Sequence, residues 1–361
     1  HQVADGAAET YTTIDVNNGG TLAIARNAKV SGSDVTVNTG GTLTSAKNLH
    51  FGSFSSEPGT GLLGSSLTLD GGTVSAQHMG LAPSGTATLK KGMLTLNSLD
   101  MRNGTFAFNV AGGDSATLTL LGTTDGTDFL QGTSLSVGTG SNVFLGADSG
   151  PGGNQTSTTS LAVSGGSLQV GHGNWQTGDL TQTGGQAKIS GNAVLTVNNL
   201  DQTGGLLTVG GTTNSGKLVV NGSVANAAYA AGSTGVAVTG TGSLQVEYDE
   251  LVNATGDDFK DSATQHAVNV ANGGTLLLNG YAGSGMTLAE FKTLSDKLLA
   301  AGSTGTVQGI TVDTSGASLQ DVGDARLATP TAVISGIGGL STGAATVGGI
   351  TGATTVSGNA A

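Results

Sequence analysis

Six acidic side chains crowd the stretch from Glu247 to Asp261: Glu247, Asp249, Glu250, Asp257, Asp258 and Asp261. They are a quarter of the chain's 24 carboxylates, gathered in fifteen residues. Carboxylates this close can hold a hard cation through oxygen or receive a basic partner. Calcium needs several oxygen ligands in a short span. Only Asp257 and Asp258 with Asp261, and Asp125-Gly-Thr-Asp128, come near that requirement. No Gly-Gly-x-Gly-x-Asp array exists, so a calcium-built β-roll is not indicated. The plainer expectation is a set of solvated acidic loops. The 247–261 loop is then a binding surface, no cofactor is resident, and calcium is the one ion to consider.

Other chemistry is thinly supplied. His1, His50, His78, His172 and His266 are scattered, with no His-x-His or His-x-x-x-His spacing, and read as surface residues rather than ligands. The absence of cysteine removes thiol and zinc–thiolate chemistry. No Gly-x-Ser-x-Gly elbow and no Walker A loop occur. Carbohydrate-active β-helices use clustered carboxylates beside Arg or Lys on one coil face. Here Lys and Arg total 12, and the acidic residues fall mostly in loops. The expectation is therefore a protein that is not an enzyme and has no catalytic residues.

Composition narrows the scaffold that positions these residues. Of 361 residues, 64 are Gly and 4 are Pro; 36% are hydrophobic and 10% charged, with a formal net charge of −12. Collagen is excluded by the missing three-residue glycine period and the scarce proline. Disorder conflicts with regularly spaced Leu and Val. The acidic charge disfavours nucleic acid, whose phosphates it would repel. No window approaches the apolar run of a membrane helix, and no basic segment followed by an apolar one opens the chain.

The decisive pattern is repetition. Glycine pairs recur at Gly19-Gly20, Gly40-Gly41, Gly71-Gly72, Gly112-Gly113, Gly165-Gly166, Gly184-Gly185, Gly204-Gly205 and Gly273-Gly274, several of them 19 to 21 residues apart. Leu180-Thr-Gln-Thr-Gly-Gly returns as Leu200-Asp-Gln-Thr-Gly-Gly. Short alternating runs follow most pairs, among them Leu67-Thr-Leu69, Leu94-Thr-Leu96, Leu118-Thr-Leu120, Leu168-Gln-Val170 and Leu195-Thr-Val197. Period-two alternation turns Leu and Val to one face and Thr, Ser or Gln to the other. Runs of three to five residues cannot bury that face alone. Stacking successive units does, with Leu and Val in shared internal columns. The expected fold is all-β: a right-handed parallel β-helix, or β-solenoid, with one short amphipathic helix near residues 287–301. An antiparallel sandwich is the competing reading, disfavoured by the very short strands and the single Trp175.

The expected organisation is a solenoid over 1–285 with loop insertions near 52–64, 148–159 and 247–261. A helical cap or lid follows over 286–301, then a Gly-, Ala- and Thr-rich β segment over 302–361. Thr287 fits an N-cap with Glu290 as its capping-box partner, and Leu288, Phe291, Leu294 and Leu298 form one apolar stripe. No charged residue occurs from Leu327 to Ala361. That stretch reads as further slim coils, a returning strand or a pairing tail. An unpaired edge of this kind is sticky and is expected to be covered.

The units Asn17-Asn-Gly-Gly-Thr-Leu-Ala-Ile24, Asn38-Thr-Gly-Gly-Thr-Leu43, Asp70-Gly-Gly-Thr-Val74, Thr183-Gly-Gly-Gln-Ala-Lys-Ile189 and Asn272-Gly-Gly-Thr-Leu-Leu-Leu278 resemble bacterial autotransporter passenger domains and related haemagglutinin-like surface adhesins. The resemblance covers most of residues 11–280. It implies export across a Gram-negative envelope, an extracellular location at the cell surface, and attachment, self-association or biofilm formation. Its implied partners are the chain itself, or glycans or proteins of a host or neighbouring cell. No catalytic residue carries over. Neither an outer-membrane barrel segment nor a two-partner secretion signature is legible. The expectation is therefore a fragment, or an adhesin exported another way such as type I secretion. A self-assembling fibre or surface-layer subunit is the first alternative and a polysaccharide-active β-helix enzyme the second.

Overall fold

The computed structural model describes residues 12–52, 64–124, 128–146, 154–210 and 216–221, and short stretches between 236 and 357. The fold is a parallel β-solenoid. The chain divides into two compact units, His1–Leu161 with Gly166–Leu168, and Ala162–Gly165 with Gln169–Ala361.

In the first unit a coil is three strands joined by tight corners. One coil is Ser33–Asn38, Thr42–Ser45 and Asn48–Phe51. The preceding coil is Thr12–Val16, Thr21–Ile24 and Ala28–Val30. The two lie side upon side in parallel, with Thr12 beside Ser33, Thr21 beside Thr42 and Ala28 beside Leu49. The alternation read from sequence sets which side chains go in. Leu43, Val74, Leu94, Leu118 and Val143 occupy successive coils in one register column, and all are buried. Each such Leu or Val contributes about 1.5–3 kcal/mol by leaving water.

In the first unit two strands are much longer than the three to five residues expected. Ser65–Leu81 and Gly85–Asp100 each run through a whole coil without losing their pairing. The ladder survives the corner because the register slips there, between Leu69 and Asp70 and again before Thr73. Such bulges bend a strand while pairing resumes beyond them. Gly71 makes the bend possible: its φ is 99°, and a Cβ there would run into the Thr39 side chain of the coil below. Asparagine supports the equivalent corner one coil earlier, where Asn38 Nδ2 donates to Asn17 Oδ1 at 2.9 Å.

The second unit repeats the scheme. Leu180–Ile189 pairs in parallel with Leu200–Val209, so the sequence repeat offset by twenty is the coil register itself. Ala187, Leu207, Leu244, Leu276 and Val307 form an inner column. Trp175 is buried on a coil strand, Asn174–Gln176, beside Leu195 of the next coil. It is therefore a solenoid core residue, not the centre of a sandwich.

Not every polar residue of a strand faces out. Gln182 and Gln202, paired on neighbouring coils, are buried. Gln182 Nε2 donates to the Leu206 carbonyl at 3.0 Å and Gln202 Nε2 to the Ser243 carbonyl at 2.5 Å. A long amide can donate to backbone carbonyls from inside, while the Gln182 Oε1 is buried without a hydrogen-bond partner, which carries a cost.

The insertion near 52–64 leaves and rejoins the coil at one point. Ser65 Oγ bonds both the Gly52 N–H (2.5 Å) and the Val30 carbonyl (2.8 Å), which ties the ends together; residues 53–63 lie outside the described residues. Of the expected insertion near 148–159, residues 148–153 lie outside the described residues. Asn154–Thr156 is a strand, and Gln155, Ser157 and Thr159 are buried. Of the proposed helix, Thr287 ends a two-residue strand, Met286–Thr287, and Ala289 is helical; the remaining positions lie outside the described residues. Between 302 and 361 the described strands Thr306–Gly309, Val312–Asp313, Val333–Ser335 and Thr355–Ser357 all pair in parallel.

Candidate functional site

The acidic cluster lies almost wholly beyond view. Glu247 ends the strand Ser243–Glu247 and sits in register with Asn279. Asp249, Glu250, Asp257, Asp258 and Asp261 lie outside the described residues, as does Asp125. Asp128 is described; its N–H bonds the Thr156 carbonyl at 3.0 Å. Among the described residues no three His, Asp or Glu side chains converge on a metal position.

A different set of side chains does converge, on the outer face of the first unit. It is built by three coil strands: Asn48–Phe51, the last part of Ser65–Leu81 and the last part of Gly85–Asp100. Leu49, Phe51, Met79, Leu81 and Leu99 point inward and are fully buried. Alternation therefore drives their neighbours outward. Lys29, His50, Gly80, Asp100 and Gln131 form one outer column, and Asn48, His78 and Ser98 the next.

At the centre, the missing side chain of Gly80 lets the His50 ring lie close over the backbone. A Cβ there would collide with His50 Nδ1 and come within 3.3 Å of His78 Nε2. The two imidazole rings stand 5.4 Å apart, centroid to centroid, and tilt by 56°. His78 Nδ1 is 2.8 Å from Ser98 Oγ. Below them Arg102 grips the Asp100 carboxylate through Nε at 3.0 Å and Nη2 at 2.8 Å, and its own backbone N–H bonds the same carboxylate at 3.0 Å.

Electrostatics follow from this packing. Burial lowers the pKa of His50, helped by Lys29 and opposed by Asp100. Burial also lowers that of His78, with His50 and Arg102 adding to the effect and Asp100 opposing it. Burial alone would raise the Asp100 carboxyl, but the Arg102 hydrogen bonds and charge outweigh it and hold the carboxyl below its ordinary value. At neutral pH the site is two neutral imidazoles above a clamped carboxylate. A hydrolytic triad would need that carboxylate on the imidazole that contacts the serine. Here Arg102 takes both carboxylate oxygens instead.

The histidine spacing hid this pair. His50 and His78 belong to neighbouring coils with the 52–64 insertion between them, so no short motif joins them. Aligning Asn48-Leu-His50-Phe51 beneath His78-Met-Gly80-Leu81, by the shared inward apolar positions, would have brought them together. No protein family, no curated protein and no solved structure matches this chain.

Proposed function

We propose that this chain is the solenoid portion of a secreted or surface-displayed bacterial adhesin, acting in attachment, self-association or biofilm formation. The observation that carries the reading is a ladder of hydroxyls on the outside of the coils. Thr44, Ser75, Thr95 and Thr119 stand in one register column, one per coil. Each offers a weak, uncharged hydrogen bond to a glycan or to a second chain. A regular ladder of weak contacts gains strength through multivalency, because each contact raises the effective concentration of the next. The stacked core supports such a surface without disulfides, since the chain has no cysteine. The stretch at 247–261, with its acidic cluster, is the candidate specificity element on this scaffold; within it Glu247 ends one coil strand and Leu251–Val252 pairs in parallel with Leu218–Val219.

The test is display of the full chain on a bacterium stripped of its own adhesins. Clumping or binding to a glycan-coated surface is expected, weakened when 247–261 is deleted. Absence of both, with filaments forming as the purified chain is concentrated, would favour a structural fibre. Depolymerisation of an acidic polysaccharide by the purified chain would favour an enzyme.

A further inference from the structure

We propose that His50 and His78 form a two-imidazole site for a divalent transition-metal ion of the zinc, copper or nickel type, seated over Gly80 on the outer face of the first unit. The proposal stands independently of the adhesin reading and rests on the geometry of the two rings. Imidazole nitrogen binds such ions at about 2.0–2.1 Å. The ring centroid then lies about 3.2 Å from the metal, and two imidazoles at a tetrahedral angle have centroids about 5.2 Å apart. His50 and His78 stand at 5.4 Å. Their facing edges are the nitrogen-bearing ones, since His50 Nδ1 and His78 Nε2 are both near neighbours of the missing Gly80 side chain.

Three further features suit a metal. The Ser98 hydroxyl occupies His78 Nδ1 at 2.8 Å, which fixes the ring and directs Nε2 to the shared space. Ligating histidines are commonly oriented in this way through their second nitrogen. Gly80 is the one coil position in the outer column between His50 and Asp100, and its lack of a side chain lets the His50 ring lie close over the backbone beside His78. The neighbouring Asp100 carboxylate adds negative charge, while its Arg102 clamp keeps it from acting as a third ligand. Water completes the coordination. Nitrogen ligands select zinc, copper or nickel over calcium, which takes oxygen ligands.

The experiment titrates the full chain, stripped of metal, with Zn2+ alone at neutral pH, and follows heat and the histidine side-chain NMR signals. One Zn2+ is expected to bind and to shift His50 and His78 together. Either His50→Gln or His78→Gln weakens that binding by more than about tenfold, the lower bound for losing even an outer-shell partner. His172→Gln leaves it unchanged. Gly80→Ala keeps both imidazoles but pushes the His50 ring aside, and is expected to abolish the site while the amide spectrum of the coil persists. With Cu2+, electron paramagnetic resonance is expected to show two imidazole nitrogens, lost in the same variants. Zn2+ binding that survives both His50→Gln and His78→Gln, or no binding at millimolar Zn2+, overturns the proposal.

Discussion

His78 Nδ1 lies 2.8 Å from Ser98 Oγ, a contact that spans twenty residues of sequence and a single step of the coil. Such short steps across long separations are what a solenoid offers a functional site. Side chains far apart in the chain become vertical neighbours, with positions fixed by the register of the buried column beneath them. Around Gly80 that register brings together two imidazoles, a hydroxyl and an arginine-clamped carboxylate.

The first prediction concerns acid sensitivity in metal-free buffer. Burial holds both His50 and His78 below their ordinary value of 6.5. Above that value both folded and unfolded chains carry neutral imidazoles, and the contribution to stability is fully present. As pH falls below 6.5 the unfolded chain takes up protons first, so stability declines until the folded imidazoles also titrate. The melting temperature of the His50→Gln, His78→Gln double variant should therefore fall less than that of the parent between about pH 7 and about pH 5. Parallel profiles for the two proteins would show that the pair does not carry this effect.

The inner columns predict a sharp contrast between adjacent residues. Leu94 is buried between Val74 and Leu118, whereas Thr95 faces outward in the next position. Leu94→Ala should cost about 2–5 kcal/mol, because a column packed from both sides cannot close over the cavity. Thr95→Ala should stay within about 0.5 kcal/mol. Urea denaturation of the two variants measures the difference, and equal losses would contradict the inward–outward assignment.

Gln155 predicts a polar counterpart. It is buried, and its amide replaces a missing rung of the backbone ladder: Oε1 accepts from the Thr123 N–H at 2.8 Å and Nε2 donates to the Thr123 carbonyl at 3.0 Å. Gln155→Leu keeps much of the volume but removes both hydrogen bonds to the Thr123 backbone. A loss of about 1–3 kcal/mol is expected for the two bonds together. Faster amide hydrogen exchange at Thr123 should accompany it; an unchanged rate would mean that solvent already reaches this position.

What could be read from the sequence followed a simple physical division. Leu180 and Leu200 announced their own register, because identical hydrophobic and glycine positions must stack identically. The inner columns were legible for the same reason: period-two alternation has one solution when only one face can be buried. Gln182 and Gln202 were not legible as core residues. Alternation assigns polar side chains outward, and only the backbone carbonyls they donate to bring them in. The His50 and His78 pair was hidden by the 52–64 insertion, which stretches the local period and removes any short motif between them. The long strands Ser65–Leu81 and Gly85–Asp100 were hidden because glycines, Gly71-Gly72 in the first and Gly92 in the second, read as ends of strands. In the fold they are bulges through which pairing continues.

That distinction gives the last prediction. If Gly71 merely ended a strand, an added methyl group would be tolerated in a solvent-facing turn. Its φ of 99° instead lies where side chains are disfavoured, and a Cβ would collide with Thr39 of the coil below. The left-handed conformation alone costs about 1–2 kcal/mol for a residue with a Cβ, and relief of the collision requires the Thr39 side chain, or the coil step that carries it, to shift. Gly71→Ala should therefore lower stability by more than that conformational cost alone, and amide exchange should accelerate on both sides of the corner, at Val37 and at Thr73. Adding Thr39→Gly to Gly71→Ala should recover the collision part and leave the conformational part. Full recovery would mean that φ is free to relax, and no recovery would mean that the Thr39 side chain is not what the methyl group meets.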